Sequence, residues 1–248
     1  MAVAALYDIH GNLPALRAVL AELDRVEIET IVVGGDVASG PLPAETVAAL
    51  EALGDRALFV RGNSDRDVVE AFRGRSEGGA DPAQRAAAFA AARISAAQCE
   101  FLDGFAESVA LEVEQLGPVL FCHGSPRGES EVITTATSVR RLRVILDGVA
   151  LPTVVCGHTH RHFDRLLGDY RIVNAGSVGL PYEGRAGAYW ALLGPDVELR
   201  RTDYDIAAAA AELRAGGFAD TDQMIGPSLI DPADPDEVAA LLERQARP

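Results

Sequence analysis

Apolar runs of strand character alternate with helical periodicities over the first third of the chain and recur as far as residue 155. Residues 3–6, 31–33, 58–60, 119–121 and 153–155 are such runs, each too short for a helix and each stopped by turn-forming residues. Between them Leu13, Leu16, Leu20 and Leu23 recur at helical spacing, and Pro14 stands where a first turn tolerates proline. A strand over 30–33, a helix over 43–53 and a strand over 57–60 follow. This β-α-β-α-β order predicts a parallel sheet with right-handed crossovers. Residues 66–106 are Ala-rich and helical, broken at 74–82, where Gly78-Gly79 and Asp81-Pro82 mark a loop. That stretch is expected to form a peripheral helical segment with some influence on access to a site. From 107 onward short strands dominate, at 108–113, 119–121, 154–156, 171–173, 188–193 and 197–200, with one helix at 138–146. They are expected to complete two packed sheets with helices outside. Residues 1–204 read as one domain. Residues 205–248 read as a helical tail packed on it, with helices at 205–215 and 236–247.

Composition narrows the classes. Acidic residues outnumber basic ones by 37 to 22, for a net charge of −15. A field of that sign repels nucleic acid and anionic membrane, so neither is expected as a partner. It also opposes anionic substrates unless cations reverse the sign locally. No apolar run approaches the ~20 residues that span a bilayer. No basic, apolar leader precedes the first strand, which begins at Ala2. Cys122 and Cys156 lie inside apolar strand ends, where reduced thiols pack as small hydrophobes. A cytoplasmic protein is expected.

Every apolar run ends in potential metal ligands. The endings read Asp8-Ile9-His10-Gly11-Asn12, Gly34-Gly35-Asp36, Gly62-Asn63-Ser64-Asp65, Phe121-Cys122-His123-Gly124 and Gly157-His158-Thr159-His160. Asp8 and His10, two apart, are expected to point the same way from an extended exit, as are His158 and His160. Asp36 follows two glycines that permit a tight turn, and its two oxygens could bridge two cations. Asn63 offers a neutral oxygen and His123 a further imidazole. Taken singly, a His near a strand end is usually a hydrogen-bonded core residue, and Gly-Asp or Gly-Asn is usually a turn. Five such endings in order converge on one edge of a sheet and predict one polynuclear site. Hard oxygens and borderline nitrogens, with no thiolate required, suit Mn²⁺, Fe, Zn²⁺, Ni²⁺ or Mg²⁺.

The ordered set D-x-H, G-G-D, G-N-x-D, H-G and G-H-T-H resembles the calcineurin-like metallophosphoesterase superfamily. Residues 8–16 and 173–181 (Val-Asn-Ala-Gly-Ser-Val-Gly-Leu-Pro) extend the likeness to its small prokaryotic, YfcE-like phosphodiesterase branch, as far as about residue 190. The resemblance implies an α/β fold, a four-layer α-β-β-α sandwich with two mixed sheets. It implies two divalent metal ions, Mn²⁺ foremost. Asp8, His10, Asp36 and His160 would hold one; Asp36, Asn63, His123 and His158 would hold the other, with Asp36 as the bridge. A metal-bridging hydroxide would attack phosphorus in line, without a covalent enzyme intermediate, on a small phosphorylated substrate. The expected activity is that of a phosphodiesterase or phosphatase. The rival is a non-catalytic scaffold of the same fold, for which a retromer subunit is the precedent; seven filled ligand positions favour the enzyme. The β-lactamase-like dinuclear class would need H-x-H-x-D-H, which the chain lacks.

One position departs from the family pattern. Many members have His after Gly-Asn and use it to protonate the leaving oxygen, whereas this chain has Ser64. General-acid help is worth ~10²–10⁴-fold, and its loss hurts aryl and phosphate leaving groups least. His162 is a candidate substitute acid. Asn12, Ser64, Ser177 and Arg185 are candidate substrate contacts, although Asn12 also suits a helix cap and Ser177 a plain Gly-rich turn. Arg127 is a further basic candidate, as is Arg61, for which an ion pair with acidic neighbours is the simpler reading.

Overall fold

A computed structural model describes residues 1–26, 28, 30–76, 79 and 81–246. The elements run β1 (Val3–Leu6), α1 (Leu13–Arg25), β2 (Thr30–Val33), α2 (Pro43–Glu51), β3 (Ala57–Phe59), α3 (Asn63–Phe72), α4 (Pro82–Ala91), α5 (Ala96–Asp103), β4 (Ser108–Val113) and β5 (Gly117–Cys122). Then come α6 (Val139–Ile145), β6 (Thr153–Cys156), β7 (Phe163–Leu167), β8 (Tyr170–Asn174), β9 (Ala188–Leu193), β10 (Val197–Thr202), α7 (Ile206–Ala215), α8 (Thr221–Ile225), a π-helical turn (Gly226–Ile230) and α9 (Pro235–Gln245).

Two five-stranded mixed sheets form, in the orders β10-β9-β1-β2-β3 and β4-β5-β6-β8-β7. In the first, β1, β2 and β3 are parallel, and β9 and β10 close one side antiparallel. In the second, β5, β6 and β8 are parallel, flanked by antiparallel β4 and β7. The period of two along each strand sorts side chains into layers. Val3, Ala5 and Tyr7 meet Val119, Phe121, Val155 and Val173 between the sheets. Ala4 and Leu6 face the other way, onto Leu16, Val19 and Leu23 of α1 and Val47 and Leu50 of α2. Val154, Cys156 and Ile172 pack outward on Leu142 and Ile145 of α6. The result is the expected α-β-β-α sandwich.

Several boundaries differ from the periodicity. The β7–β8 hairpin is legible only in its second strand, because β7 places Asp164 and Arg165 side by side before Leu166 and Leu167, with Leu166 exposed on the sheet edge, and so shows no period of two. Residues 66–106 resolve into most of α3, all of α4 and all of α5; α3 begins earlier, at Asn63 itself. α8 and the π-helical turn lie between the two expected tail helices, where the periodicity predicts no element. The expected loop residue Gly78 and the expected helix end Arg247 lie outside the described residues. Cys99, Cys122 and Cys156 are buried free thiols. No described helix is long and apolar enough to cross a membrane.

Candidate metal centre

All the candidate ligands leave the carboxyl ends of parallel strands, where the two sheets meet. Asp8 and His10 follow β1, Asp36 follows β2, Asn63 opens α3 after β3, His123 follows β5, and His158 and His160 follow β6. The exits are not extended, as the two-residue spacing had suggested. Asp8, His10, Asp36, His158 and His160 have φ of 54°, 51°, 56°, 65° and 56°. Among the described residues the one other non-glycine at positive φ is Gln115. Each such residue costs on the order of 1 kcal/mol, so the surroundings must enforce the shape.

They do so with hydrogen bonds between the exits. Asp8 N–H donates to the Gly35 carbonyl at 3.0 Å, His10 N–H to Asp36 at 2.9 Å and Gly11 N–H to Val37 at 2.9 Å. Asp65, which is fully buried, accepts from the Asp36, Val37 and Gly62 N–H groups at 2.8, 2.9 and 2.9 Å. Burial, then the nearby Asp36 charge, push its carboxyl up to about 7. A Cβ on Gly62 would lie 2.1 Å from Asp36 Oδ1, which explains the glycine.

The ligand atoms form two triads. Asp8, His10 and His160 lie within 4.8 Å of one another, and so do Asp36, His123 and His158. Asp36 Oδ2 reaches toward both, 3.7 Å from His10 Nε2 and 3.5 Å from His123 Nε2. Three imidazoles are oriented through Nδ1, which bonds to the carbonyls of Ser39 (3.2 Å), Gly34 (2.7 Å) and Leu180 (2.7 Å) for His10, His123 and His160. That arrangement turns the Nε2 lone pairs inward, as metal-binding histidines require. His10 Nε2 and His160 Nε2 then face each other at 3.2 Å, a contact that needs a proton or a cation between them. Asp8 Oδ1, Asn63 Oδ1 and His123 Nε2 are buried without a hydrogen-bond partner. Orphaned buried atoms of this kind are costly, and this donor set fits divalent cations.

The electrostatics tell the same story. Burial would raise the Asp36 carboxyl, but His123, His10 and His158 together hold it well below the usual carboxylate range. Burial opposes charge on His123, yet Asp36 and Asp8 outweigh it and push the imidazole up to about 10. His158, desolvated and beside His123, falls to about 4.

The remaining candidates divide. Ser64 lines the cavity over the ligands, with a buried, unpartnered hydroxyl and its N–H donating to Asp36 Oδ1 at 2.8 Å. Asn12 is not a substrate contact: buried, it caps α1 by accepting from Ala15 N–H at 3.2 Å and donates to the Gly179 carbonyl at 2.8 Å. Ser177 is also scaffold, fully buried, donating to the Asp8 carbonyl at 2.7 Å and accepting from Leu180 N–H at 2.8 Å. Arg185 is exposed and does not line the cavity. His162 points away from it, bonded to the Ala175 carbonyl at 2.8 Å, and burial lowers its pKa to about 4, so it is no substitute acid. Arg61 pairs with Glu129 and Glu107, and Arg127 with Glu131. Sequence reasoning missed Asp65, although it sits in a quoted motif. It also missed Tyr182, whose ring stacks on His160 at 5.2 Å. The tail side chains that wall the cavity carry no local pattern that could have revealed them.

A family model described as calcineurin-like phosphoesterase superfamily domain matches residues 1–194. A metallophosphoesterase from Sphaerobacter thermophilus is 25% identical, with a TM-score of 0.70 over 91% of this chain and 98% of that one. A hypothetical protein from Pyrococcus horikoshii OT3 shares the fold at 18% identity, with a TM-score of 0.80 over 94% of this chain and 99% of its own. No curated protein matches the chain. The matched stretch contains every candidate ligand from Asp8 to His160, and the chain belongs to the calcineurin-like phosphoesterase superfamily.

Proposed function

We propose that the protein hydrolyses phosphate esters of a small molecule, as a phosphodiesterase or phosphatase, with two divalent cations, Mn²⁺ foremost, held by Asp8, His10, Asp36, Asn63, His123, His158 and His160. The observation that carries this reading is the pair of adjoining triads, Asp8-His10-His160 and Asp36-His123-His158, with three orphaned ligand atoms buried in and beside them. Cations bound there would acidify a water toward neutral pH and offset the charge of the phosphate oxygens. The protein's part is preorganisation. The carbonyls of Ser39, Gly34 and Leu180 fix three imidazole tautomers. Ser64 N–H holds Asp36 Oδ1, while Oδ2 faces His10 and His123. The Ser64 hydroxyl can donate to a phosphate oxygen but is a poor proton source at neutral pH, and burial raises the nearby Tyr182 phenol above its usual range. Leaving groups that depart without a proton are therefore favoured. We also assign the protein to a reducing cytoplasm, supported by its three buried free thiols.

The test is Mn²⁺-dependent hydrolysis of bis-p-nitrophenyl phosphate beside p-nitrophenyl phosphate, with Asp36→Asn as control. Diester turnover that disappears in the variant is the expected result. Turnover of the monoester alone would make the protein a phosphatase. Silence on both with metal bound would favour the scaffold.

A further inference from the structure

The wall of the cavity opposite the ligands comes from two segments that contribute nothing to the metal centre. α4 presents Pro82, Ala83 and Ala86, and the tail presents Phe218, Met224 and Pro227. The rings of Phe89 and Phe218 pack 4.9 Å apart, and Arg85 Nε pairs with Asp220 at 2.6 Å across 135 residues of chain, so the two segments form one surface. Tyr182 and Leu180 continue it back toward His160. Its polar groups are the Gln223 amide, the Asp220 carboxylate and the hydroxyls of Ser39, Ser64 and Tyr182. No described arginine lines the cavity, and the chain contains no lysine. A second or third phosphate would lie against apolar side chains and a carboxylate, where phosphate recognition calls for cations. The cavity, about 310 Å³, falls at the small end of ligand pockets.

We propose that this wall selects a substrate with one phosphate, monoester or diester, of which the ester group that leaves is a small, flat, uncharged ring lying against Phe218, Met224 and Tyr182. Polyphosphates and charged tails are excluded. The inference rests on the phosphoesterase reading above and names its substrate class. In the reaction a water oxygen bonds to phosphorus as the bond to the ring oxygen breaks. The electron pair leaves on that oxygen, and the protons of the water pass to solvent. A ring spreads the leaving charge, which suits a cavity whose donors, the metal-binding histidines apart, are hydroxyls and an amide.

The experiment titrates phenylphosphonate, methylphosphonate and p-carboxyphenylphosphonate calorimetrically into the Mn²⁺-loaded 248-residue chain. Phenylphosphonate should bind about tenfold tighter than either of the others. The preference should fall toward unity in Phe218→Ala and in Met224→Ala, each checked for retained fold by circular dichroism. Equal affinities in the parent protein, or a preference that both variants keep, overturn the wall. Parallel assays of aryl ester hydrolysis separate this inference from the reading beneath it. Ring preference without turnover removes the hydrolase and leaves the pocket, whereas turnover without ring preference removes the pocket and leaves the hydrolase.

Discussion

At the scale of single residues, the centre stores unfavourable backbone and charge in the same side chains. His123 is raised to about 10 by the carboxylates around it, and His160 is raised as well, while His10 and His158 are lowered. At neutral pH the metal-free site therefore holds a proton on His123. A cation needs that lone pair, so binding must expel about one proton, and Mn²⁺ affinity should rise with pH from about pH 6 to pH 9. Calorimetry in buffers of different ionisation enthalpy counts the protons released; an affinity flat across that range would mean neutral imidazoles in the metal-free protein. The spacing that made these residues visible is local, which is why seven ligand positions could be read from the chain. Asp65 could not. Nothing in Gly-Asn-Ser-Asp says that the last carboxylate collects three backbone N–H groups from two different strand exits.

At the scale of elements, α3 starts directly on a ligand, so its first turn and the β2 exit are one packed unit. Gly62 has an ordinary φ of −91°, so alanine there is not strained by its own dihedrals; its Cβ meets Asp36, at 2.1 Å from Oδ1 and 2.5 Å from the backbone N. Gly62→Ala should therefore cost about 10–100-fold in metal affinity through displacement of Asp36. Ser95→Ala removes a hydroxyl that accepts from Gln98 N–H at 3.1 Å at the start of α5. It should cost on the order of 1 kcal/mol of stability with metal affinity unchanged. Measuring melting temperature and Mn²⁺ affinity for both variants checks the distinction; equal losses of affinity would remove it. Helices with an apolar stripe, such as α1, were plain in the sequence because one face is buried at regular spacing. β7 was not, since on this sheet edge Asp164 and Arg165 stand side by side and an exposed Leu166 breaks the period of two.

For the whole molecule, charge sets the approach of substrate. With −15 overall, an anionic ester meets a repelling field until it reaches the cations. At saturating metal, kcat/KM for such an ester should rise as salt increases from about 20 mM to about 300 mM, through screening of that repulsion. A fall would mean that the positive edge governs encounter from a distance. The cavity wall belongs to this scale too. Phe218 and Met224 became part of a site only through the packing of the tail on α4, a tertiary event with no sequence period. Each triad likewise joins the sheets, with Asp8 and His10 on one and His160 on the other, and Asp36 on one and His123 with His158 on the other. One triad is incomplete until the ribosome has passed position 158 and the other until it has passed 160, so the nascent chain must hold Asp8, His10 and Asp36 open through the synthesis of α2 to α6 before any cation can fasten the halves together.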